Sequence, residues 1–178
     1  YQKCPTFSSF LPGIAGKLGI PIWAYYVNRG QAIASFGIKN KDNALMEFEP
    51  ANKSYRTVST RGFRTFIKIK DNKGDFQIYE PFAVSQKDNS GKQIHNQMII
   101  KPYSLIIKEI NREFKIRVKI KYFILPNEDF GALVRRVSVE NLSQEEREFA
   151  ILDGMPEMVP YGISNSALKE VSQTMAAW

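Results

Sequence analysis

The chain has 178 residues, of which 43% are hydrophobic, and it carries a formal net charge of +7. This length and composition suit one globular domain with a core of its own and argue against intrinsic disorder. One cysteine excludes an internal disulfide, and without a long apolar run or a Cys/His ligand set we expect a cytoplasmic chain with no membrane partner, no metal and no cofactor.

Short strands separated by turn-forming residues account for most of the sequence. Asn28-Arg29-Gly30 connects a predicted strand over 22–27 to a second over 31–36. Asn and Gly recur in the later gaps, where hairpins need positive φ angles. The later predicted strands cover 44–49, 62–69, 75–84, 97–100, 104–110, 114–125, 132–140 and 147–152. This succession predicts an all-β fold, a large two-sheet antiparallel β-sandwich.

The last segment has helical rather than strand spacing. Ser164-Asn-Ser166 offers an N-cap. The apolar residues that recur at helical intervals are Leu168, Val171, Met175 and Trp178. We therefore predict a β-sandwich domain over 1–153. Residues 154–178 would form an exit loop and the start of a short C-terminal linker helix that leads to another domain outside this chain.

Much of the positive charge falls in an alternating segment, 114–122. Its cations are Lys115, Arg117, Lys119 and Lys121, and apolar residues separate them. In a strand the cations would therefore share one face. Such a face is typical of a solvated sheet surface, where lysine also discourages edge-to-edge pairing. A nucleic-acid-binding β domain that uses this strand is the alternative, but we favour the solvated face and expect no nucleic-acid partner.

Residues that could carry catalysis have simpler interpretations. His95 lies in a polar stretch beside a turn, where a single histidine is more often a solvated loop residue than a catalytic base. Glycoside chemistry requires carboxylates at a defined separation. The carboxylate pairs near one another in sequence are Glu128 with Asp129, Glu109 with Glu113, and Asp153 with Glu157. Turn formation or surface ion pairing explains each of them, so we predict no catalytic residue in this chain.

The segment 19–37 combines aromatic rings with planar hydrogen-bonding groups. Sugars stack on aromatic rings, and their hydroxyls need donors and acceptors. A free-standing carbohydrate-binding module with Trp23, Tyr25 and Arg29 as its platform is therefore an alternative function. The candidates for a substrate rim or a domain interface are Trp23, Tyr25, Asn28, Arg29, Gln31, Arg64 and Tyr161.

Several blocks resemble a known family in an order that fits. They are Tyr26-Val-Asn-Arg-Gly-Gln-Ala-Ile-Ala-Ser-Phe-Gly37, Glu47-Phe-Glu-Pro-Ala-Asn-Lys53, Gly62-Phe-Arg-Thr-Phe66, and Ile151-Leu-Asp-Gly-Met-Pro156 continuing to Pro160-Tyr-Gly162. Together they resemble the N-terminal domain of carbohydrate-active enzymes of the cellobiose and chitobiose phosphorylase type. None of the blocks is a catalytic signature.

The resemblance implies a galactose-mutarotase-like supersandwich followed by a helical linker and a catalytic (α/α)6 barrel. It implies that the full enzyme acts on β-linked oligosaccharides, with inorganic phosphate as co-substrate if it is a phosphorylase. The β-sandwich would then support domain packing, homodimer formation and the active-site rim. Phosphorolysis, hydrolysis and synthesis all stay open.

Overall fold

The computed structural model describes residues 4–11, 13, 22–70, 74–84 and 94–176. These residues form eleven strands and two α-helices. The strands are β1 (Ser8–Leu11), β2 (Ile22–Val27), β3 (Ile33–Ile38), β4 (Ala44–Met46), β5 (Arg64–Lys70), β6 (Phe76–Tyr79), β7 (Ile94–Lys101), β8 (Ser104–Asn111), β9 (Ile116–Ile124), β10 (Leu133–Asn141) and β11 (Phe149–Gly154). The helices are α1 (Ala51–Arg61) and α2 (Asn165–Ala176).

All described strand pairs are antiparallel, and hydrogen bonding divides them into three sheets. Sheet A has the order β1-β2-β3-β4, sheet B has β11-β5-β6, and sheet C has β10-β9-β8-β7. Most neighbours are also consecutive in sequence, but β11 returns to pair with β5. The all-β sandwich class predicted from the sequence is confirmed.

One apolar core joins the three sheets. Tyr26 and Ile33 come from sheet A, Ile67 from sheet B, and Ile107 and Ile120 from sheet C. Burial of each such side chain contributes about 1.5 to 3 kcal/mol. The predicted alternation along β9 is confirmed over the residues that bury their side chains in this core, which are Ile116, Val118, Ile120, Tyr122 and Ile124.

Several predicted strands are shorter in the structure, including 44–49, which ends at Met46, and in two of them side chains hold the ends in turns. Asn111 Oδ1 accepts hydrogen bonds from the backbone N–H groups of Glu113 and Phe114, and Lys115 adopts a positive φ of 51°. Lys115 therefore belongs to the β8–β9 turn and not to the basic strand face. The predicted strand 75–84 ends at Tyr79, because the chain turns at Phe82 with φ of 64°.

Helix α1 and strand β1 are elements that the sequence analysis did not predict. Pro50 precedes the first turn of α1, where its missing N–H costs nothing. Val58 packs against Tyr25 and Val27, so α1 covers part of the outer face of sheet A. The helix is polar elsewhere, so it has only a narrow apolar stripe.

The predicted C-terminal helix is present as α2. Ser164 Oγ accepts a hydrogen bond from Ala167 N, which confirms the predicted N-cap region, and Leu168 is buried. Val159 N donates to Leu45 O, so the loop before α2 lies against sheet A. No helix in the described part of the chain is long and apolar enough to cross a membrane.

Some predicted features lie outside the described residues. They include the predicted turns over 71–74 and 87–91, each wholly or partly, the beginning of the segment 19–37, and Trp178. The division of the chain at residue 153 stays a prediction.

Candidate functional site

The three sheets meet around Gln31, one of the residues selected from the sequence. The β2–β3 connection is tight because Gly30 and Ala32 both adopt positive φ, and Val27 N donates to Ala32 O. A Cβ at Gly30 would lie 3.4 Å from the Cα of Ser59 in α1, so the loop is pressed against that helix. This turn directs Gln31 into the protein, where it is 3% exposed.

Four further side chains join Gln31 in a hydrogen-bonded cluster that we call the polar junction. It consists of Gln31, Thr65 of β5, Tyr122 of β9, Arg135 of β10 and Asp153 of β11. Arg135 Nη2 donates to Gln31 Oε1 at 2.6 Å and to Thr65 Oγ1 at 3.0 Å. Thr65 Oγ1 donates to Asp153 Oδ1 at 2.6 Å, and Tyr122 donates to the carbonyl of Gln31 at 2.8 Å. The junction therefore ties all three sheets together.

The charges of the junction neutralise one another. Arg135 Nη1 pairs directly with Asp153, and its guanidinium lies 5.0 Å from the ring centroid of Phe63. Burial acts to lower the pKa of Arg135, but Tyr122 and Asp153 outweigh it and raise that pKa overall. Burial also raises the pKa of Tyr122 above the ordinary phenol range, against the opposing effect of Arg135. At neutral pH the arginine is charged and the tyrosine is protonated, so Arg135 and the carboxylate of Asp153 form an ion pair that positions the strands.

A small cleft adjoins the junction and shares Gln31 with it. Its volume is about 170 Å³, and its lining residues are Gly30, Gln31, Ser59, Phe63, Glu80, Pro81, Phe82, Ala83 and Val84. Ligand pockets usually measure about 300 to 1,000 Å³. The cleft is therefore better suited to one side chain or one small polar group than to an oligosaccharide.

Arg64 contributes to the same region through an ion pair. Its Nε and Nη2 atoms donate to the two carboxylate oxygens of Glu80 at 2.7 and 2.9 Å, which raises the pKa of Arg64. Its guanidinium also lies 4.7 Å from the ring centroid of Phe66. Of the seven selected residues, Gln31 lines this cleft and Arg64 adjoins it by pairing with Glu80, another of the lining residues.

The selected aromatic residues lie elsewhere, in a cluster on the outer side of sheet A. Trp23 Nε1 donates to the carbonyl of Asn40, and a Cβ at Gly37 would lie 2.8 Å from the indole. Tyr25 is 6% exposed. Both rings are used in packing, whereas the half-exposed ring in this cluster is Phe10, which stacks on Phe48.

The remaining selected residues are separate from the junction. Arg29 lies over the ring of Tyr55 in α1 at 5.0 Å. Asn28 accepts a hydrogen bond from Phe7 N and donates to the carbonyl of Pro5, so it holds the N-terminal segment. Tyr161 is exposed in the loop that precedes α2.

Glu109 was interpreted as a surface ion-pairing residue, and this interpretation is wrong. Its side chain is 1% exposed and accepts hydrogen bonds from the Tyr79 hydroxyl and from Phe82 N, the latter at 2.8 Å. Burial, and then the charge of Glu109, raise the pKa of Tyr79. Alternation predicts this position, because Glu109 follows Leu105 and Ile107 on the inward face of β8.

Junction residues missed by the sequence analysis are also marked by alternation. Arg135 lies between Leu133 and Val137 on the side of β10 that faces the core, as its register with Tyr122 shows. Asp153 was attributed to a turn, but it lies in β11 opposite Thr65. A polar residue at an inward position of a strand was the available signal for both.

A second group of charges lies between α1 and the end of sheet A. Glu49 is 5% exposed and forms ion pairs with Lys53 at 2.7 Å and with Arg61 at 3.1 Å. Burial, and then repulsion by Glu49, raise the pKa of Glu47. No group of three or more His, Cys, Asp or Glu in the described ranges could hold a metal ion.

The raised pKa of Glu47 predicts the sign of a pH effect. The folded state prefers the protonated acid, so the stability from that preference is present below the unfolded pKa and is lost as the pH rises through the folded pKa. Glu47→Gln should therefore unfold at a higher temperature than the wild type at about pH 7 and show little difference at about pH 4. Thermal unfolding followed by circular dichroism across this range measures the difference.

Glu49→Gln provides the contrast, because it loses the pairs with Lys53 and Arg61 and should be less stable than the wild type at about pH 7. A lower unfolding temperature of Glu47→Gln at that pH would contradict the prediction.

Comparison of the chain with protein-family models matches no family, and comparison with curated proteins gives no match.

Proposed function

We propose that this chain is the N-terminal, non-catalytic β-sandwich domain of a carbohydrate-active enzyme of the cellobiose and chitobiose phosphorylase type. Its role is to pack against a catalytic (α/α)6 barrel, to support a homodimer and to contribute to the active-site rim. The full enzyme acts on β-linked oligosaccharides, and inorganic phosphate is the co-substrate if the reaction is phosphorolysis. The chain itself holds no cofactor in this proposal.

An exposed apolar face on sheet B carries the proposal. Phe66 lies opposite Leu152, and Ile78 and Phe76 continue the same face on β6. Leu152, Ile78 and Phe76 are 71%, 74% and 62% exposed. Lys68, directly opposite Ile78, lies on this face too, and its ammonium group is 4.2 Å from the ring centroid of Phe76, so cations border the exposed apolar side chains. Exposed apolar side chains rimmed by polar groups mark contact with another protein surface. Phe66 and Leu152 also belong to two of the blocks that carry the family resemblance, so the resemblance and the apolar face coincide.

The paired charges support a structural role for the region beside this face. A general acid must exchange its proton with the substrate during turnover. The carboxylates of Glu80 and Asp153 are instead held by the guanidinium groups of Arg64 and Arg135. These pairs fix the geometry of the sheet edges that would meet a neighbouring domain.

The test compares the 178-residue chain with a longer polypeptide that also contains the region encoded downstream of it. Both are incubated with cello- or chito-oligosaccharides and inorganic phosphate, and sugar 1-phosphate is measured. We expect product from the longer polypeptide and none from the chain. Turnover by the chain alone would contradict a non-catalytic role, and the absence of a helical-barrel region downstream would contradict the family proposal.

The packing role has its own variant, Ile78→Ser with Leu152→Ser. In the longer polypeptide these changes should lower turnover at least tenfold, because the sheet no longer presents an apolar surface to the barrel. In the isolated chain the unfolding temperature should hardly change, because both side chains are already exposed. Unchanged turnover in the longer polypeptide would assign the packing surface elsewhere.

A free-standing carbohydrate-binding module is the second candidate, and one observation favours it. Phe10 is 49% exposed and stacks on Phe48 with ring centroids 6.0 Å apart and an interplanar angle of 21°. Such a ring can receive a sugar face. Saturable binding of oligosaccharides to the chain, abolished by Phe10→Ala, would favour the module. Trp23→Ala is a poorer test because its indole packs over Gly37.

A further inference from the structure

The outer face of sheet C gathers cations from three neighbouring strands. Lys119 and Lys121 point outward from β9, on the side opposite its buried residues. The strand register adds Lys108 of β8, directly opposite Lys119, and Arg136 of β10, directly opposite Lys121. We call these four residues the basic stripe. Only the two β9 lysines were recognised from the sequence.

The basic stripe places like charges directly opposite each other twice. Facing like charges in antiparallel strands destabilise a sheet. Uncharged polar residues at these positions would keep the surface soluble without that repulsion. The arrangement therefore favours binding of a negatively charged ligand, which would remove the repulsion.

The cations of the basic stripe are available to a ligand. Among the described residues, none of the four takes part in an ion pair, and Lys121 contacts the ring of Phe123. Glu140 is the acidic residue that the register places on this face, and it pairs with Arg117 at 2.6 Å. Helices α1 and α2 pack on the side of sheet A.

The shape of the stripe selects the class of ligand. Neighbouring strands lie about 4.8 Å apart and alternate residues of one strand about 6.8 Å apart. The path from Arg136 through Lys121 and Lys119 to Lys108 is therefore a diagonal one cation wide, which suits one extended chain rather than a duplex. Proteins that bind single-stranded nucleic acid combine cations with stacking rings. The ring beside this path, Phe123, is partly buried and in contact with Lys121, so this path does not offer bases a free stacking ring.

We propose that the outer face of sheet C binds a linear acidic polysaccharide along Arg136, Lys121, Lys119 and Lys108. The carboxylate or sulfate groups of the polymer pair with the four cations. Gln97, opposite Lys108, and Ser138, opposite Lys119, hydrogen-bond its hydroxyls. This proposal does not depend on a catalytic domain, because the whole surface lies in this chain.

The test uses the 178-residue chain with fluorescent polygalacturonate and heparin oligosaccharides as carboxylated and sulfated probes. We expect saturable binding at low ionic strength that weakens steeply with added salt. Lys108→Gln with Lys119→Gln should bind at least tenfold more weakly. The same variant should unfold at an equal or higher temperature without ligand, because a repulsive pair has been removed. A loss of binding in this variant therefore does not reflect misfolding.

Lys41→Gln with Lys169→Gln is the matched control, since it removes the same charge from exposed positions outside sheet C. It should keep at least half of the affinity. Equal losses in both variants would reduce the effect to net charge and overturn the proposal. Absence of binding at low salt, or tighter binding to poly(dT), to duplex DNA or to anionic vesicles than to both oligosaccharides, would overturn it as well.

Discussion

Replacing Arg135 with methionine should lower the free energy of unfolding by about 3 kcal/mol, because removal of one partner leaves a largely buried charge network uncompensated. Arg135 donates to Gln31, Thr65 and Tyr122 and pairs with Asp153. Methionine retains the packing of the side-chain stem but supplies no donor. For a chain of this size the loss corresponds to a decrease of roughly 6 to 12 °C in the unfolding temperature. Urea denaturation monitored by circular dichroism measures the free energy directly.

Arg136→Met is the matched control for this prediction. Arg136 is the next residue on the same strand but points outward, and its cross-strand neighbour is Lys121. Its replacement should change the free energy of unfolding by less than about 0.5 kcal/mol, as is usual for exposed positions. Equal effects of the two variants would show that the junction does not hold the sheets together.

A double-mutant cycle tests whether Arg135 and Asp153 act as a pair. Asp153→Asn removes the charge but leaves an oxygen to accept from Thr65. The combined variant should be less destabilised than the sum of the two single changes, by about 1 to 2 kcal/mol, because contacting residues of one network are not additive. Strict additivity would mean that Arg135 contributes through its other contacts and not through its pair with Asp153.

The sequence predicted the local features of the fold because they depend on neighbouring residues. The hairpins β2–β3 and β8–β9 are predicted by turn-forming residues and by the alternation of apolar and polar residues along each strand. Helix α1 was missed because its apolar stripe is narrow, with Val58 as its main buried apolar residue. The inward positions of Glu109 and Arg135 also follow from alternation, and the sequence analysis did not apply that rule to polar residues.

The assembly of the junction could not be predicted from local pattern. Gln31 and Thr65 are 34 positions apart, and Arg135 and Gln31 are 104 positions apart. Their contact depends on the return of β11 to pair with β5, which no turn or periodic signal specifies. Gln31 was nevertheless selected from the sequence, because planar hydrogen-bonding groups beside aromatic rings are candidates for contact with a sugar. Its contacts with Thr65, Tyr122 and Arg135 give it a structural role in the junction.

Glu109→Ala should lower the free energy of unfolding by about 3 kcal/mol, because it leaves two buried donors without an acceptor and opens a cavity. The donors are the Tyr79 hydroxyl and Phe82 N. Phe82 adopts a positive φ that costs energy for a bulky residue, so the hydrogen bond to Glu109 also maintains the turn after β6. We therefore expect a local effect in addition to the global one.

Glu113→Ala is the control for Glu109→Ala, because Glu113 is an exposed carboxylate in the β8–β9 turn. Its free energy of unfolding should stay within about 0.5 kcal/mol of the wild type. Hydrogen exchange distinguishes the local effect in Glu109→Ala, since the amide of Phe82 should lose more protection than the amides of β9. The turn lines the cleft beside Gln31, so its release would also open that cleft. Uniform loss of protection would instead limit Glu109 to a contribution to global stability.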